Sequence, residues 1–245
     1  MLDLSEAYAN TQHNLADLSL GLSDEELGRF VPASPAWTVK DVVGHVTGVA
    51  GDVAGGTIPP ELDLVLSLND QVQAERRDEL TAEHVEARKQ VDLEHILAEW
   101  TRHLEALLPM IRGERPFPQP RPALDAVLVT DLAVHAQDVR SAVGQPGDRD
   151  SPGVSVALVS YCVATSFRLA ARGLPALRLR YGEKERLVGD GEPGATVSGD
   201  RFELFRAFAG RRSRDQILAM DWEGDPAPYV DLIPAYGPRL DAILE

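Results

Sequence analysis

Apolar residues recur at helical period in four stretches of the first part of the chain, near 4–21, 38–54, 91–112 and 123–144. That spacing predicts four amphipathic helices, the pattern of a four-helix bundle. In the second stretch Val42, Val46, Val49 and Val53 share one face and define its core side. Thr38 followed by Asp41 resembles an N-terminal capping box, with Asp in place of the usual Glu or Gln, and marks the helix start. His45 lies three residues after Val42 and four before Val49, so it points near the same core. The fourth stretch is apolar nearly all round, as buried helices are, yet it carries Asp131, His135 and Asp138 as one polar stripe.

Buried carboxylates and imidazoles cost free energy unless they are paired or bound to a cation. One answer is structural: a salt link to an arginine, or a core histidine bonded to a backbone carbonyl. The other is a divalent-metal site. Two imidazoles and one carboxylate from facing helices, His45, His135 and Asp131, make a three-ligand set that leaves one coordination position for water or substrate. Spacing by itself leaves both answers open.

The connection from about 55 to 90 opens with Gly55-Gly56-Thr57-Ile58-Pro59-Pro60 and then turns charged, with Glu75, Arg76, Arg77 and Asp78 on a short solvated helix. It is long enough to cover one mouth of a bundle. The run Gln145 to Gly153 is dense in turn formers and places a domain boundary there, giving domains 1–148 and 149–245. Beyond it the pattern predicts an apolar helix near 153–173, short strands at Leu177–Tyr181, Arg186–Val188 and Ala195–Ser198, and a helix from Arg201 to Gly210. The basic cluster Arg211, Arg212, Ser213, Arg214 reads either as a solvated helix end complementing the dipole or as a clamp for a carboxylate. The fold class is therefore α+β, a helical bundle with a smaller α/β domain after it.

Net charge is −15, which argues against nucleic acid or anionic membrane as partners. The single Cys162 excludes an internal disulfide, the N-terminus lacks the regions of a signal peptide, and polar residues interrupt the longest apolar run. These features predict a cytoplasmic protein with no membrane span. Nothing local activates Cys162 as a nucleophile. No phosphate-binding glycine loop, Gly-x-Ser-x-Gly elbow or internal repeat occurs. His13, His84, His95 and His103 read as structural or surface residues, with His103 alone on a helix face from which it can add a ligand.

Trp37-Thr38-Val39-Lys40-Asp41-Val42-Val43-Gly44-His45-Val46, Leu68-Asn69-Asp70, and Asp131-x-x-x-His135-x-x-Asp138 together resemble the mycothiol-dependent maleylpyruvate isomerase family over nearly the whole chain. The resemblance implies a DinB-like metal-binding four-helix bundle and a sterol-carrier-like C-terminal domain. It implies that His45, Asp131 and His135 bind a divalent ion, zinc foremost. The chain departs from the family in having Asp131 where the isomerase type has Glu, which shortens the ligand arm by about one bond length. The Gly210-Arg211 pair matches a position that supplies a functional arginine, so Arg211 is a substrate-side candidate. Asp138 is the other catalytic candidate, orienting the His135 ring or accepting protons. Trp37 reads as a core staple before the helix or, alternatively, as a residue lining the pocket.

In function, the resemblance implies a metal-dependent enzyme that uses mycothiol as thiol cosubstrate. It would act on a small electrophile, an enedioate among the candidates, as an isomerase or as a thiol S-transferase. Two rivals stand beside it: a non-catalytic binding protein with a structural or vestigial metal, and a metal-dependent hydrolase with hydroxide in the open position.

Overall fold

The computed structural model describes residues 3–64 and 70–245 of the chain, so Leu68 and Asn69 of the connection motif lie outside the described residues. The architecture is α+β and divides into two compact units, Met1–Val156 with Glu245, and Ala157–Leu244.

The first unit begins with α1 (Leu4–Leu20), a single turn α2 (Asp24–Leu27) and a small hairpin of β1 (Phe30–Val31) and β2 (Ser34–Thr38). Next come α3 (Val39–Gly55), α4 (Gln71–Arg88), α5 (Leu93–Ile111) and α6 (Leu124–Val143). Helices α1, α3, α5 and α6 occupy the four stretches that periodicity marks out. Thr38 caps α3 as the sequence implies: its hydroxyl accepts from the Asp41 amide at 3.2 Å, while the Asp41 carboxylate accepts from the Thr38 amide at 2.9 Å. Around α3 pack α4, α5 and α6, and α1 closes against α5 and α6. Tyr8, Leu15, Val42, Trp100, Leu107, Leu128 and Val139 fill the interior. Burying each such side chain contributes roughly 1.5–3 kcal/mol.

The charged connection holds more order than its composition suggests. Asp70 caps α4 by accepting from the Gln73 amide at 2.9 Å, and the helix runs on to Arg88. Its single buried residue among those described is His84. Glycines on α3 explain the fit. A side chain at Gly44 would press on Arg88, and one at Gly48 would occupy the space of the His84 ring. Two positions that weaken α3 as a helix thus form the seat for α4.

In the second unit a four-stranded sheet has the order β4-β3-β5-β6, built from β3 (Ala176–Tyr181), β4 (Lys184–Val188), β5 (Pro193–Ser198) and β6 (Asp221–Gly224). Strands β3 and β4 form an antiparallel hairpin, β3 and β5 run parallel, and β6 returns antiparallel to β5. Helices α8 (Arg201–Phe208) and α9 (Arg214–Leu218) connect β5 to β6. Leu177, Leu179 and Val197 of the sheet and Phe202, Phe205 and Phe208 of α8 are buried. The three sequence-predicted strands are present; β6 and α9 are too short and too polar to stand out in the sequence.

Helix α7 (Pro152–Ala171) crosses the division between the units. By length and composition it is the one described helix able to span a membrane, and half of its apolar window is buried in the fold. Val154, Leu158, Tyr161 and Cys162 are among its buried residues. Burial pushes the Cys162 thiol up to about 12, with only partial opposition from Arg186. Because the thiolate is the reactive form, Cys162 is expected to resist alkylation by iodoacetamide at about pH 8 in the folded protein and to react fully in denaturant. Rapid modification of the folded chain, read by mass spectrometry, would contradict that placement.

Candidate metal centre

Two features of the chain bring the site together. The capping box fixes where α3 starts, which sets His45 on the inward side of its second turn, and the i,i+4 spacing on α6 stacks Asp131 beneath His135. His45 is 2% exposed, and its Nε2 lies 3.7 Å from Oδ1 of Asp131. The Nε2 of His135 lies 3.7 Å from the same oxygen. One donor atom from each of the three residues falls within 4.8 Å of the others. Donors sharing one tetrahedral ion at about 2.0–2.2 Å sit roughly 3.3–3.6 Å apart, so a small contraction would bring these onto a single cation. Asp131 keeps 29% of its side-chain surface exposed.

The outward nitrogens also have partners. Nδ1 of His135 lies 3.2 Å from Oδ2 of Asp138, a wholly buried carboxylate, although the approach is not aligned as a hydrogen bond. Helical spacing makes that contact look awkward, yet the two groups meet. Nδ1 of His45 lies 3.5 Å from Nδ1 of His84, whose Nε2 is 2.7 Å from the Asp52 carboxylate. Both inner rings therefore turn Nε2 toward Asp131 and Nδ1 away from it, the disposition of imidazoles that ligate a metal. Trp37 does more than staple the core. Its indole centroid is 4.9 Å from that of His45 and 6.2 Å from that of His135, so it forms a wall of the group.

Electrostatics suit the donor set. Desolvation drives the Asp131 carboxyl up, but the surrounding imidazoles of His45, His135 and His84 outweigh it and hold the group at about 2. Burial lowers His45 and favours its neutral, ligating form, partly offset by Asp131. Buried nearby, Tyr8 is held protonated mainly by desolvation, with the Asp131 charge adding to the effect.

The profile of the mycothiol maleylpyruvate isomerase N-terminal domain matches residues 8–140, more than half of the chain and all of this site. The chain belongs to that family. Two solved structures of the mycothiol-dependent maleylpyruvate isomerase, one of them a mutant form, share its fold at 16% identity. The mutant aligns over 84% of this chain and 88% of its own, with a TM-score of 0.51; the other covers 85% and 88%, at 0.50. No curated protein sequence matches.

Within this family member the other sequence candidates have separate settings. His103 lies against Gly51 and pairs with Glu99 at 3.3 Å, outside the donor group. His13 and His95 are exposed. In the second unit Arg212 grips Glu203 through two hydrogen bonds, 2.9 and 3.1 Å, and Arg214 pairs with Asp231 at 3.2 Å. Those two arginines serve the unit itself. Arg211 is buried, with Nη1 donating to the Ala209 carbonyl at 2.7 Å. Sequence reasoning missed the Asp52–His84 pair; the one available signal was the Gly44, Gly48 spacing opposite a histidine.

Proposed function

We propose that this chain is a divalent-metal-dependent, mycothiol-using enzyme, an isomerase or thiol S-transferase acting on a small electrophile in the cytoplasm. The observation that carries the reading is the convergence of two inward Nε2 atoms on one partly exposed carboxylate, in a member of this family. His45, Asp131 and His135 hold the ion, with zinc favoured by the two-imidazole, one-carboxylate donor set. When bound, such an ion supplies the positive charge that keeps a thiol deprotonated at neutral pH.

The chain's own groups divide the remaining work. Asp138 steadies the His135 ring from behind, and the Trp37 indole walls the group on one side. Arg211, whose guanidinium fork matches a carboxylate, is the substrate-binding candidate of the second unit. The mycothiol sulfur adds to one carbon of an activated double bond, the new single bond rotates, and elimination of the thiol restores the alkene in the opposite geometry. A substrate that offers no elimination leaves as the sulfur conjugate. The division of labour is a DinB-like metal-binding bundle, 1–148, and a sterol-carrier-like domain, 149–245.

The test is turnover of maleylpyruvate by the zinc-loaded protein with and without mycothiol, extended to conjugation of simple electrophiles. Loss of all turnover when the thiol is omitted is expected. Equal turnover without thiol would replace this reading with a metal hydrolase, and tight binding of zinc with no thiol chemistry on any electrophile would replace it with a binding protein.

A further inference from the structure

His45 is backed by a second imidazole and a carboxylate, contributed by α4 and by its own helix. Asp52 lies two turns along α3 and accepts from the Thr57 hydroxyl through Oδ1, so its Oδ2 is presented to Nε2 of His84 at 2.7 Å. The His84 ring sits directly on Gly48, and its backbone carbonyl accepts from Arg88 Nη1 at 3.1 Å. Arg88 is in turn clamped by Glu99. His84 is buried, and Asp52, Arg88 and Glu99 are half-buried.

The proton positions are set by donor and acceptor chemistry. A carboxylate only accepts, so the His84 nitrogen facing Asp52 carries the proton. A neutral imidazole has one N–H, which makes Nδ1 of His84 the bare acceptor. The same rule acts on His45: opposite the Asp131 carboxylate its Nε2 carries the proton unless a cation takes that place, and when a cation does, the proton moves to Nδ1, where the bare His84 nitrogen 3.5 Å away accepts it. We propose that Asp52 and His84 are positioning residues that lock His45 in the tautomer and ring orientation required of a metal ligand. The proposal rests on the reading of His45 as a ligand and extends it to two residues outside the donor group.

The first measurement is long-range proton–nitrogen NMR of the full-length, zinc-loaded protein labelled with ¹⁵N-histidine. The expected result is the Nε2–H tautomer for His84, its bare Nδ1 opposite Nδ1–H of His45; a proton on Nδ1 of His84 overturns the proposal without any variant being made. The second is zinc affinity by chelator competition. His84→Phe and Asp52→Ala are expected to weaken zinc about 10–100-fold, the usual consequence of losing such a partner. His84→Gln, whose amide oxygen can still accept from His45, is expected to recover most of that loss. Unchanged affinity in His84→Phe, with wild type binding zinc, overturns the proposal and leaves the metal reading intact. Failure of the wild type to bind zinc removes the metal reading and this proposal with it, an outcome distinct from the selective overturn by His84→Phe.

Discussion

Replacement of His135 by alanine is expected to strip the protein of bound zinc and with it all thiol-dependent turnover. The imidazole supplies one of only two neutral donors at the site, and its partner Asp131 lies one helical turn away. Removing a ligand itself should weaken binding beyond the ~10–100-fold typical of a supporting group. The fold has reason to survive. His135 contacts Asp131 and Asp138 on its own helix and the rings of His45 and Trp37, while the apolar contacts of Leu128, Leu132 and Val139 that seat α6 are untouched. The check is elemental analysis of wild type and His135→Ala purified side by side, with far-UV circular dichroism to compare helix content. Near-stoichiometric zinc in the wild type and none in a folded variant is the expected outcome. Equal metal in both would sink the assignment of His45, Asp131 and His135.

The second large effect concerns stability. Gly210 adopts φ +76°, and a Cβ at that position would run into the carbonyl oxygen of Ala235. The segment at Ala235 is tied to the end of α8 by its amide, which donates to the Phe208 carbonyl at 2.8 Å, so the obstacle is backbone and has little freedom to retreat. Left-handed backbone with a side chain costs roughly 1–2 kcal/mol, and overpacking a filled site about 1–3 kcal/mol. Gly210→Ala is therefore expected to lower the stability of the second unit by roughly 2–5 kcal/mol. Urea unfolding monitored by tryptophan fluorescence reads this, since Trp222 reports from β6. An unchanged midpoint would mean that the Ala235 segment does not lie against Gly210. The Gly210-Arg211 pair thus has a structural reason for its glycine, independent of what Arg211 does.

The bundle was legible because its helices bury strongly patterned faces. Val42, Val46 and Val53 are buried where period alone places them, and Thr38 caps where the box predicts. The donor group was legible for a related reason: Asp131 and His135 lie one turn apart, and His45 shares the core side of α3. Contacts made by packing rather than by period were not legible. His84 sits in a helix rich in Glu and Arg, and nothing in that composition announces that α4 lies on glycines of α3. Trp37 reaches both imidazoles only because a two-strand hairpin delivers it to the head of α3. In the second unit the basic run after α8 looked like one feature, but Arg212 and Arg214 turn to different carboxylates, Glu203 and Asp231, far apart in sequence.

The glycines of α3 set a limit on engineering. Gly44, Gly48 and Gly51 recur at intervals of four and three, and in turn they face Arg88, His84 and His103. A programme to raise the melting temperature would single out such mid-helix glycines for alanine, a replacement that commonly gains about 0.5–2 kcal/mol at compatible sites. Here the most attractive of those positions, Gly48, is the one on which a histidine ring rests. The thermostability within reach of helix propensity and the seating of His45 thus draw on the same few cubic ångströms.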